Sequence, residues 1–109
     1  MTNQYLYQLQ PTRSDMLVNG PLESEINILE AHVTYLEQLS EKSIVLLAGR
    51  TQTVDESTFG LVILKAESES IAQGIMKNDP AVKGGVMHAV LFPYKIAMVS
   101  PDIVNQCKV

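Results

Sequence analysis

Tryptophan is absent from this 109-residue chain, and cysteine occurs once, at Cys107. A single cysteine cannot close an internal disulfide, and a domain without disulfides suits a reducing compartment. The sequence therefore predicts a cytoplasmic protein that is held together by packing and hydrogen bonds.

Long apolar runs and an excess of basic residues are also missing. No stretch approaches the roughly 18 to 20 apolar residues that span a bilayer, and the first ten residues lack the basic and apolar segments of a signal peptide. Twelve acidic against eight basic residues give a net charge of -4, the wrong sign for neutralising a phosphate backbone. We expect neither a membrane nor a nucleic acid as partner.

The motifs that hold metals, nucleotides and acyl groups are not found either. The histidines, the cysteine and the scattered carboxylates show no metal-ligand spacing. Gly84 and Gly85 are not followed by the lysine and helix of a phosphate loop, and no Gly-x-Ser-x-Gly elbow occurs. The sequence predicts no metal and no cofactor, and it disfavours nucleotide binding and serine-hydrolase chemistry.

The composition that is present is that of one globular domain. Hydrophobic residues make up 46% of the chain and charged residues 18%, which is ordinary for a folded protein. A chain of this length supports a single core. We expect one domain over residues 1–109, with residues 1–3 and 100–109 as terminal tails.

Hydrophobic periodicity changes along the chain between the spacing of strands and that of helices. Asn19-Gly20-Pro21 marks residues 12–21 as a loop, and Asp79-Pro80 ends the second helix because proline disfavours helical geometry in the residue before it. In chain order the predicted elements are a strand at 4–9, a helix at 22–40, strands at 44–48 and 59–66, a helix at 69–78 and a strand at 87–99.

This order predicts an α+β fold, the ferredoxin-like βαββαβ sandwich, with two helices on one face of a four-stranded antiparallel sheet. The strands at 59–66 and 87–99 are apolar on both faces, whereas a sheet with one wet face would alternate. Covering the second face by pairing with another copy would bury this apolar surface. We therefore expect a homodimer through the sheet faces; the alternative is a monomer whose strands are hydrophobic by propensity alone.

Several segments together carry a family resemblance: "YLYQL", "LEAHVTYLEQL", "VLLAG", "FGLVILKAES" and "KNDPAVKGGVMHAVLFPYKI". From Tyr5 to about Met98 the chain resembles the YCII-related family. The resemblance implies a dimeric α/β barrel built from two ferredoxin-like subunits, and a small-molecule ligand. The family is similar to muconolactone isomerases and to a dehydrochlorinase of chlorinated-aromatic breakdown, in which a histidine and an aspartate are the proposed active pair. By position these are His32 and Asp79.

His32 is the strongest candidate from the residues themselves. It lies one turn from Ile28 and Leu36, so its ring should face the sheet from the edge of the apolar stripe. Imidazole exchanges protons near neutral pH, which suits general acid–base catalysis. The alternative is a buried neutral histidine with one backbone hydrogen bond. Asp79 could orient the imidazole, or could simply hydrogen-bond its own backbone as an Asp-Pro turn.

Four further residues are candidates for substrate binding. Arg50 stands where many relatives have a proline, and a cation there could favour a carboxylated substrate or could be a solvated surface residue. Tyr5 and Tyr7 could offer hydroxyl groups to a ligand, although aromatic residues in strands more often pack across strands. His88 shares a strand face with Val90, and it could point toward the same pocket or toward the partner chain.

Three functions remain open from the sequence. The first is an enzyme that moves a proton on a small cyclic or aromatic acid, by elimination or isomerisation, with His32 as general base and Asp79 orienting it. The second is a non-catalytic small-ligand-binding or accessory dimeric domain. The third is a cofactor-free or haem-using monooxygenase, which the lack of tryptophan and an aromatic content of 6% disfavour.

Overall fold

The computed structural model describes residues 3–13 and 15–104, apart from the side chain of Leu17. Cys107 and the last part of the predicted tail, residues 105–109, lie outside these ranges. The elements in chain order are β1 (Asn3–Pro11), α1 (Asp15–Asn19), α2 (Glu23–Glu41), β2 (Val45–Arg50), β3 (Gly60–Ala66), α3 (Glu69–Asn78), α4 (Pro80–Lys83) and β4 (Met87–Tyr94).

The strands form one four-stranded sheet in the order β2-β3-β1-β4, with every neighbouring pair antiparallel. The long helices α2 and α3 pack on one face of this sheet, where Leu36, Leu39 and Ile75 contact the buried core. This confirms the ferredoxin-like α+β fold. The first and third strands in sequence lie side by side at the centre, so their side chains are fixed from both flanks.

The core lies between the sheet and the helices. Along β1 the side chains of Tyr5, Tyr7 and Leu9 are buried, whereas the residues between them are only half covered. In the register of the sheet, Tyr5 pairs with Leu64 and Tyr7 with Val62, so large apolar side chains meet across the strands. Each such side chain contributes about 1.5–3 kcal/mol of burial free energy.

Glu25 stabilises the beginning of helix α2 by accepting hydrogen bonds there. Its Oε1 accepts the backbone N–H of Leu22 at 2.7 Å and a guanidinium N–H of Arg13 at 2.5 Å. A carboxylate in the first turn also interacts favourably with the helix dipole. The helix ends at Glu41, and Ser43, with a φ of 58°, then turns the chain toward β2.

Two short helices and one strand end depart from the sequence prediction. The segment 12–21 was predicted to be a loop but contains α1, and α4 follows immediately after Asp79. β4 ends at Tyr94 rather than near residue 99, and Tyr94 pairs with Gln4, the second residue of β1. Strand pairing, more than residue propensity, sets this boundary.

The second face of the sheet carries apolar side chains, while α2 and α3 pack on the opposite face. Alternation puts Leu6, Ile63 and Phe92 on this side, opposite the buried tyrosines of β1. Phe92 is 44% exposed and Val90 is 50% exposed. The pattern agrees with the two-faced strands expected from the sequence.

Across residues 3–13 and 15–104, none of the helices combines the length and apolar character needed to cross a bilayer.

Candidate functional site

His32 and Asp79 lie in direct contact. Nδ1 of His32, in the middle of α2, is 2.6 Å from Oδ1 of Asp79, which sits between α3 and α4. The imidazole side chain is 14% exposed and the carboxylate 0%. Residues 47 positions apart in sequence are thus brought together where one long helix crosses a helix junction.

Asp79 is surrounded by donors. Besides the His32 ring, Oδ1 accepts the backbone N–H of Ala81 at 3.0 Å, and Oδ2 accepts the hydroxyl of Tyr7 at 2.7 Å. The Ala81 contact caps α4, with Pro80 at the first helical position, where a missing N–H costs nothing. The two interpretations of this aspartate therefore hold together: it is a turn residue that caps a helix, and the same carboxylate holds a histidine.

These contacts assign the protons around the pair. An ionised carboxylate only accepts hydrogen bonds, so Nδ1 of His32 carries the hydrogen in this contact. The other ring nitrogen, Nε2, then has a free lone pair in the neutral ring. Among the residues that the structure describes, no buried side-chain nitrogen or oxygen lacks a partner. Since Asp79 is the one partner found for the ring, Nε2 is open to solvent or ligand.

Tyr7 lies behind the carboxylate rather than beside a ligand. Its side chain is fully buried, and both burial and the neighbouring Asp79 raise the pKa of its hydroxyl far above the usual range. It therefore stays protonated and donates. Tyr35 lies nearby and donates to the carbonyl of Ile75 at 2.8 Å, joining α2 to α3; burial raises its pKa as well.

Gly84 allows α2 and α4 to approach. A Cβ at this position would lie 2.9 Å from the carbonyl oxygen of Pro80 and 3.0 Å from Cδ1 of Ile28. The first distance is shorter than real side chains show, and the second would require the Ile28 side chain to move. Ile28 is one turn before His32, and Pro80 follows Asp79, so this close contact sets the distance between the two functional groups. From the sequence, Gly84 was considered only for a phosphate loop, which it does not form.

A cavity of about 420 Å³ opens beside His32 on the helix side of the sheet. Its wall is mostly hydrocarbon, and its polar side chains besides His32 are Arg50 and Thr58. Thr58 already donates to the carbonyl of Thr53 at 2.6 Å. The apolar lining comes from Leu9, Pro11, Met16, Leu29, Val33, Leu36, Ala48, Phe59, Leu61, Val62 and Met87.

The segment before α2 covers one side of this cavity. Met16 in α1 is buried and contributes to the lining. The segment is held at its beginning by the Arg13–Glu25 ion pair and by the hydroxyl of Thr12, which lies 2.6 Å from the carbonyl oxygen of Gly85. The residues predicted to be a loop thus form part of the wall.

The candidate residues from the sequence fall into two groups. His32, Asp79 and Tyr7 form one hydrogen-bonded chain, and Arg50 lines the cavity that His32 faces. Tyr5 is buried in the core away from the cavity lining, and His88 is exposed on the opposite face of the sheet. Binding roles for Tyr5 and His88 remain predictions without a contact to this cavity.

Within residues 3–13 and 15–104 there is no group of three or more His, Cys, Asp and Glu side chains arranged to hold a metal ion.

Solved structures share this fold. The chain is 24% identical to 5-chloro-2-hydroxyhydroquinone dehydrochlorinase (TftG) from Burkholderia phenoliruptrix AC1100, solved in complex with 2,5-dihydroxybenzoquinone; the match has a TM-score of 0.60 and covers 84% of this chain and 93% of that one. The uncharacterized protein TM1266 from Thermotoga maritima is 15% identical, with a TM-score of 0.51, over 87% of this chain and 100% of that one. At these identities the likeness establishes the fold.

Comparison with curated proteins finds no match. The family model of the YCII-related domain matches residues 6–93, a range that includes both His32 and Asp79 and every strand of the sheet except its outermost residues. The match covers most of the chain. The protein therefore belongs to the YCII-related family.

Proposed function

We propose that this protein is an enzyme that moves a proton on a small cyclic or aromatic acid, with His32 as general base and Asp79 as the group that orients it. One observation carries the proposal: Nδ1 of His32 is held 2.6 Å from a fully buried carboxylate while the ring borders an apolar cavity. A base held by one nitrogen presents the other to the substrate.

The proposed step is an elimination or an isomerisation. Nε2 of His32 takes a proton from an acidic C–H of the substrate, and the electrons of that bond form a new double bond. In elimination a neighbouring leaving group such as chloride departs with its bonding pair; in isomerisation the proton returns at another carbon. Asp79 stabilises the imidazolium that forms, because the buried carboxylate lies beside the new positive charge.

Arg50 supports an acid as substrate. It is the cationic side chain in the cavity lining, and its guanidinium enters no ion pair among residues 3–13 and 15–104. The remaining wall is apolar apart from His32 and the engaged Thr58. One cation and hydrocarbon walls fit a molecule with one anionic group on an apolar ring.

The acid preference has a direct binding test with benzoate and its neutral isostere benzamide. Arg50→Gln is expected to weaken benzoate binding about tenfold, the effect of losing roughly 1.4 kcal/mol of charge-assisted contact. Benzamide binding should be unchanged. Calorimetry on both proteins gives the two affinities, and equal loss for both probes would show that Arg50 does not recognise the charge.

The dehydrochlorinase from Burkholderia phenoliruptrix supports the choice of reaction class. That enzyme acts on a chlorinated hydroquinone and binds a dihydroxybenzoquinone. For the present chain we propose proton removal with loss of chloride from a ring tautomer whose reacting carbon is saturated, or the related shift of a double bond. The cavity, about 420 Å³, is large enough for a single substituted ring.

The proposal is tested by turnover of a panel of chlorinated hydroxybenzoates, chlorinated hydroquinones and unsaturated lactone acids in deuterated water. Released chloride reports elimination, and deuterium incorporation reports proton abstraction. His32→Gln should reduce the rate about a hundredfold or more, the usual contribution of a general base. Undiminished turnover in this variant would remove His32 from the mechanism.

His88→Gln is the matched variant on the other histidine. Because His88 lies on the face without helices, we expect its replacement to leave turnover intact, and a loss would return His88 to the site. Tight binding of panel members by the wild-type protein, with no chloride release and no deuterium exchange, would favour the non-catalytic ligand-binding function instead.

We also propose that two copies pair through the face of the sheet that carries no helix. Leu6, Val90 and Phe92 leave apolar surface there, and burying it against a second copy is favourable at about 25 cal/mol per Å². Sedimentation of wild type and Phe92→Asp tests this: the variant should shift toward monomer. A wild-type protein that sediments as a monomer would contradict it. The cytoplasmic location remains a prediction from cysteine usage.

A further inference from the structure

We propose that Tyr7 is a positioning residue for the base: its hydroxyl fixes the Asp79 carboxylate, and through it the protonation pattern of the His32 ring. The inference rests on the proposed function only for its effect on turnover, since the positioning itself concerns the resting protein. The observation behind it is the continuous chain from the Tyr7 hydroxyl to Oδ2 of Asp79 at 2.7 Å and from Oδ1 to the His32 ring at 2.6 Å.

The support for the carboxylate comes from different parts of the fold. Oδ1 receives two contacts, one from His32 on α2 and one from the Ala81 N–H on α4. Oδ2 receives the hydroxyl of Tyr7 on β1, and no other donor to it is found in the described part of the chain. Tyr7 thus holds the second oxygen, and together with the two donors to Oδ1 it restrains the rotation of the carboxylate about the Cβ–Cγ bond.

The rigidity of Tyr7 makes it suitable for this task. β1 lies at the centre of the sheet, between β3 and β4. Tyr7 pairs with Val62 on one side and Leu91 on the other, and its side chain is fully buried. A donor on such a strand cannot follow a carboxylate that rotates, so it holds the carboxylate in one orientation.

Packing alone does not explain the hydroxyl. A phenylalanine would fill the same space among apolar neighbours, and a buried hydroxyl is unfavourable unless it is hydrogen-bonded. Burial, together with Asp79, also raises the pKa of Tyr7, so the hydroxyl keeps its proton and serves as a permanent donor. The Tyr7 hydroxyl itself therefore takes no part in proton exchange at the site.

Loss of this donor should alter the imidazole. A carboxylate held only through Oδ1 has more freedom to rotate and offers Oδ1 to Nδ1 in a less fixed direction, so the ring can also populate the tautomer with its hydrogen on Nε2. In that tautomer Nε2 has no lone pair to accept a substrate proton.

The experiment compares Tyr7→Phe with Tyr35→Phe by long-range nitrogen–proton NMR of ¹⁵N-labelled histidine in the neutral range of the ring. Tyr35 is the matched control because it also loses one buried hydroxyl near Asp79, but that hydroxyl donates to the Ile75 carbonyl. Wild type and Tyr35→Phe should show the Nδ1–H tautomer alone. Tyr7→Phe should show both tautomers. A single Nδ1–H tautomer in Tyr7→Phe would overturn the proposal.

A measurement on the wild-type protein decides the matter if Tyr7→Phe does not fold. The Tyr7 hydroxyl proton should appear as a slowly exchanging resonance with a through-space cross-peak to the Nδ1 proton of His32, since both hydrogens point at the same carboxylate. Asp79→Asn should remove that cross-peak. A hydroxyl proton that exchanges freely with water in the folded wild type would contradict the proposal.

Turnover gives a separate reading. With any substrate identified from the panel, Tyr7→Phe should lower kcat about tenfold to a hundredfold, the size of one hydrogen bond to a charged group, and leave KM unchanged. A change confined to KM would contradict positioning. If no substrate is turned over, the tautomer measurement still decides the role of Tyr7, so failure of the enzymatic proposal and failure of this one are distinguishable.

Discussion

The two sides of the His32 ring differ in almost every physical respect. Behind Nδ1 lie a fully buried carboxylate, a tyrosine hydroxyl and a backbone N–H, each hydrogen-bonded. In front of the ring lies a cavity of about 420 Å³ with a mainly hydrocarbon wall. Behind the ring, the hydrogen bonds are satisfied without a ligand. In front of it, the Nε2 lone pair and the guanidinium of Arg50 are available to a ligand in the cavity.

The reactivity of His32 and the specificity for a ligand therefore originate on different sides of the ring. The rear determines which ring nitrogen carries a hydrogen, so it sets the reactivity of the base. The front determines what reaches that base, through volume and through the charge of Arg50. Changes on one side should therefore alter rate or stability, and changes on the other should alter which ligand binds.

The largest effect is expected from removing the carboxylate at the rear. Asp79→Ala leaves the Tyr7 hydroxyl and the Ala81 N–H buried without an acceptor, and it removes the cap of α4. Breaking a buried network in this way typically costs about 3–5 kcal/mol. Chemical denaturation measures the loss, and Asp79→Asn should lose less because the amide oxygen still accepts. Wild-type stability in Asp79→Ala would show that the hydrogen bonds to the Asp79 carboxylate do not stabilise the fold.

A smaller loss is expected from forcing α2 and α4 apart. Gly84→Ala brings a Cβ against Pro80 and Ile28, and overpacking of this kind costs about 1–3 kcal/mol. Gly74→Ala is the control: this helical glycine has open space around it and should gain about 0.5–1 kcal/mol from helix propensity. Chemical denaturation gives the free energy of unfolding of both variants. A similar change in both would show that the contact between α2 and α4 at Gly84 has no special effect on stability.

A larger side chain in the cavity should leave the stability of the protein almost unchanged while it blocks ligand binding. Ala48 lines the cavity from the edge strand β2 and is exposed, so Ala48→Leu should change the free energy of unfolding by less than about 0.5 kcal/mol. Benzoate binding should fall sharply. Ala97→Leu adds the same bulk at an exposed position outside the cavity lining and should bind like wild type. Equal binding by both variants would place the ligand elsewhere.

The smallest effect is expected from raising the pH toward about 10, the ordinary pKa of a tyrosine. Burial raises the pKa of both Tyr7 and Tyr35 in the folded protein. Groups with a raised folded pKa contribute stability that is complete below the unfolded pKa and declines as the pH rises beyond it. Denaturation at increasing pH should show a plateau up to about pH 10 and a decline above it. A decline that begins near neutral pH would contradict the burial of these hydroxyls.

The fold followed from local patterns because its long elements repeat those patterns many times. The alternation of Tyr5, Tyr7 and Leu9 and the helical spacing around Leu36 each reflect a face buried against the core. The short helices α1 and α4 were missed since five and four residues offer too few repeats to recognise. The end of β4 depends on where β1 begins, which no local window contains.

The site was predictable only in part for the same reason. His32 and Asp79 could be named, yet their contact depends on the close approach that Gly84 permits between α2 and α4. Tyr7 was a candidate either for ligand contact or for packing across strands. Its contact with Asp79 could not be predicted, because it depends on how β1 lies under the helices. The helix-capping signal of Asp79-Pro80 was visible in the sequence, and it proved compatible with the contact to His32.

The two roles of Asp79, as a helix cap and as the partner of His32, have an evolutionary consequence. Because one carboxylate both terminates a helix and supports the imidazole, the fold itself selects for the acid even where no reaction is under selection. Members of the family that have abandoned chemistry would then lose the histidine first and retain the aspartate. A relative that keeps only the aspartate would indicate that the residue is needed for folding. A relative that keeps both residues would indicate that catalysis is retained.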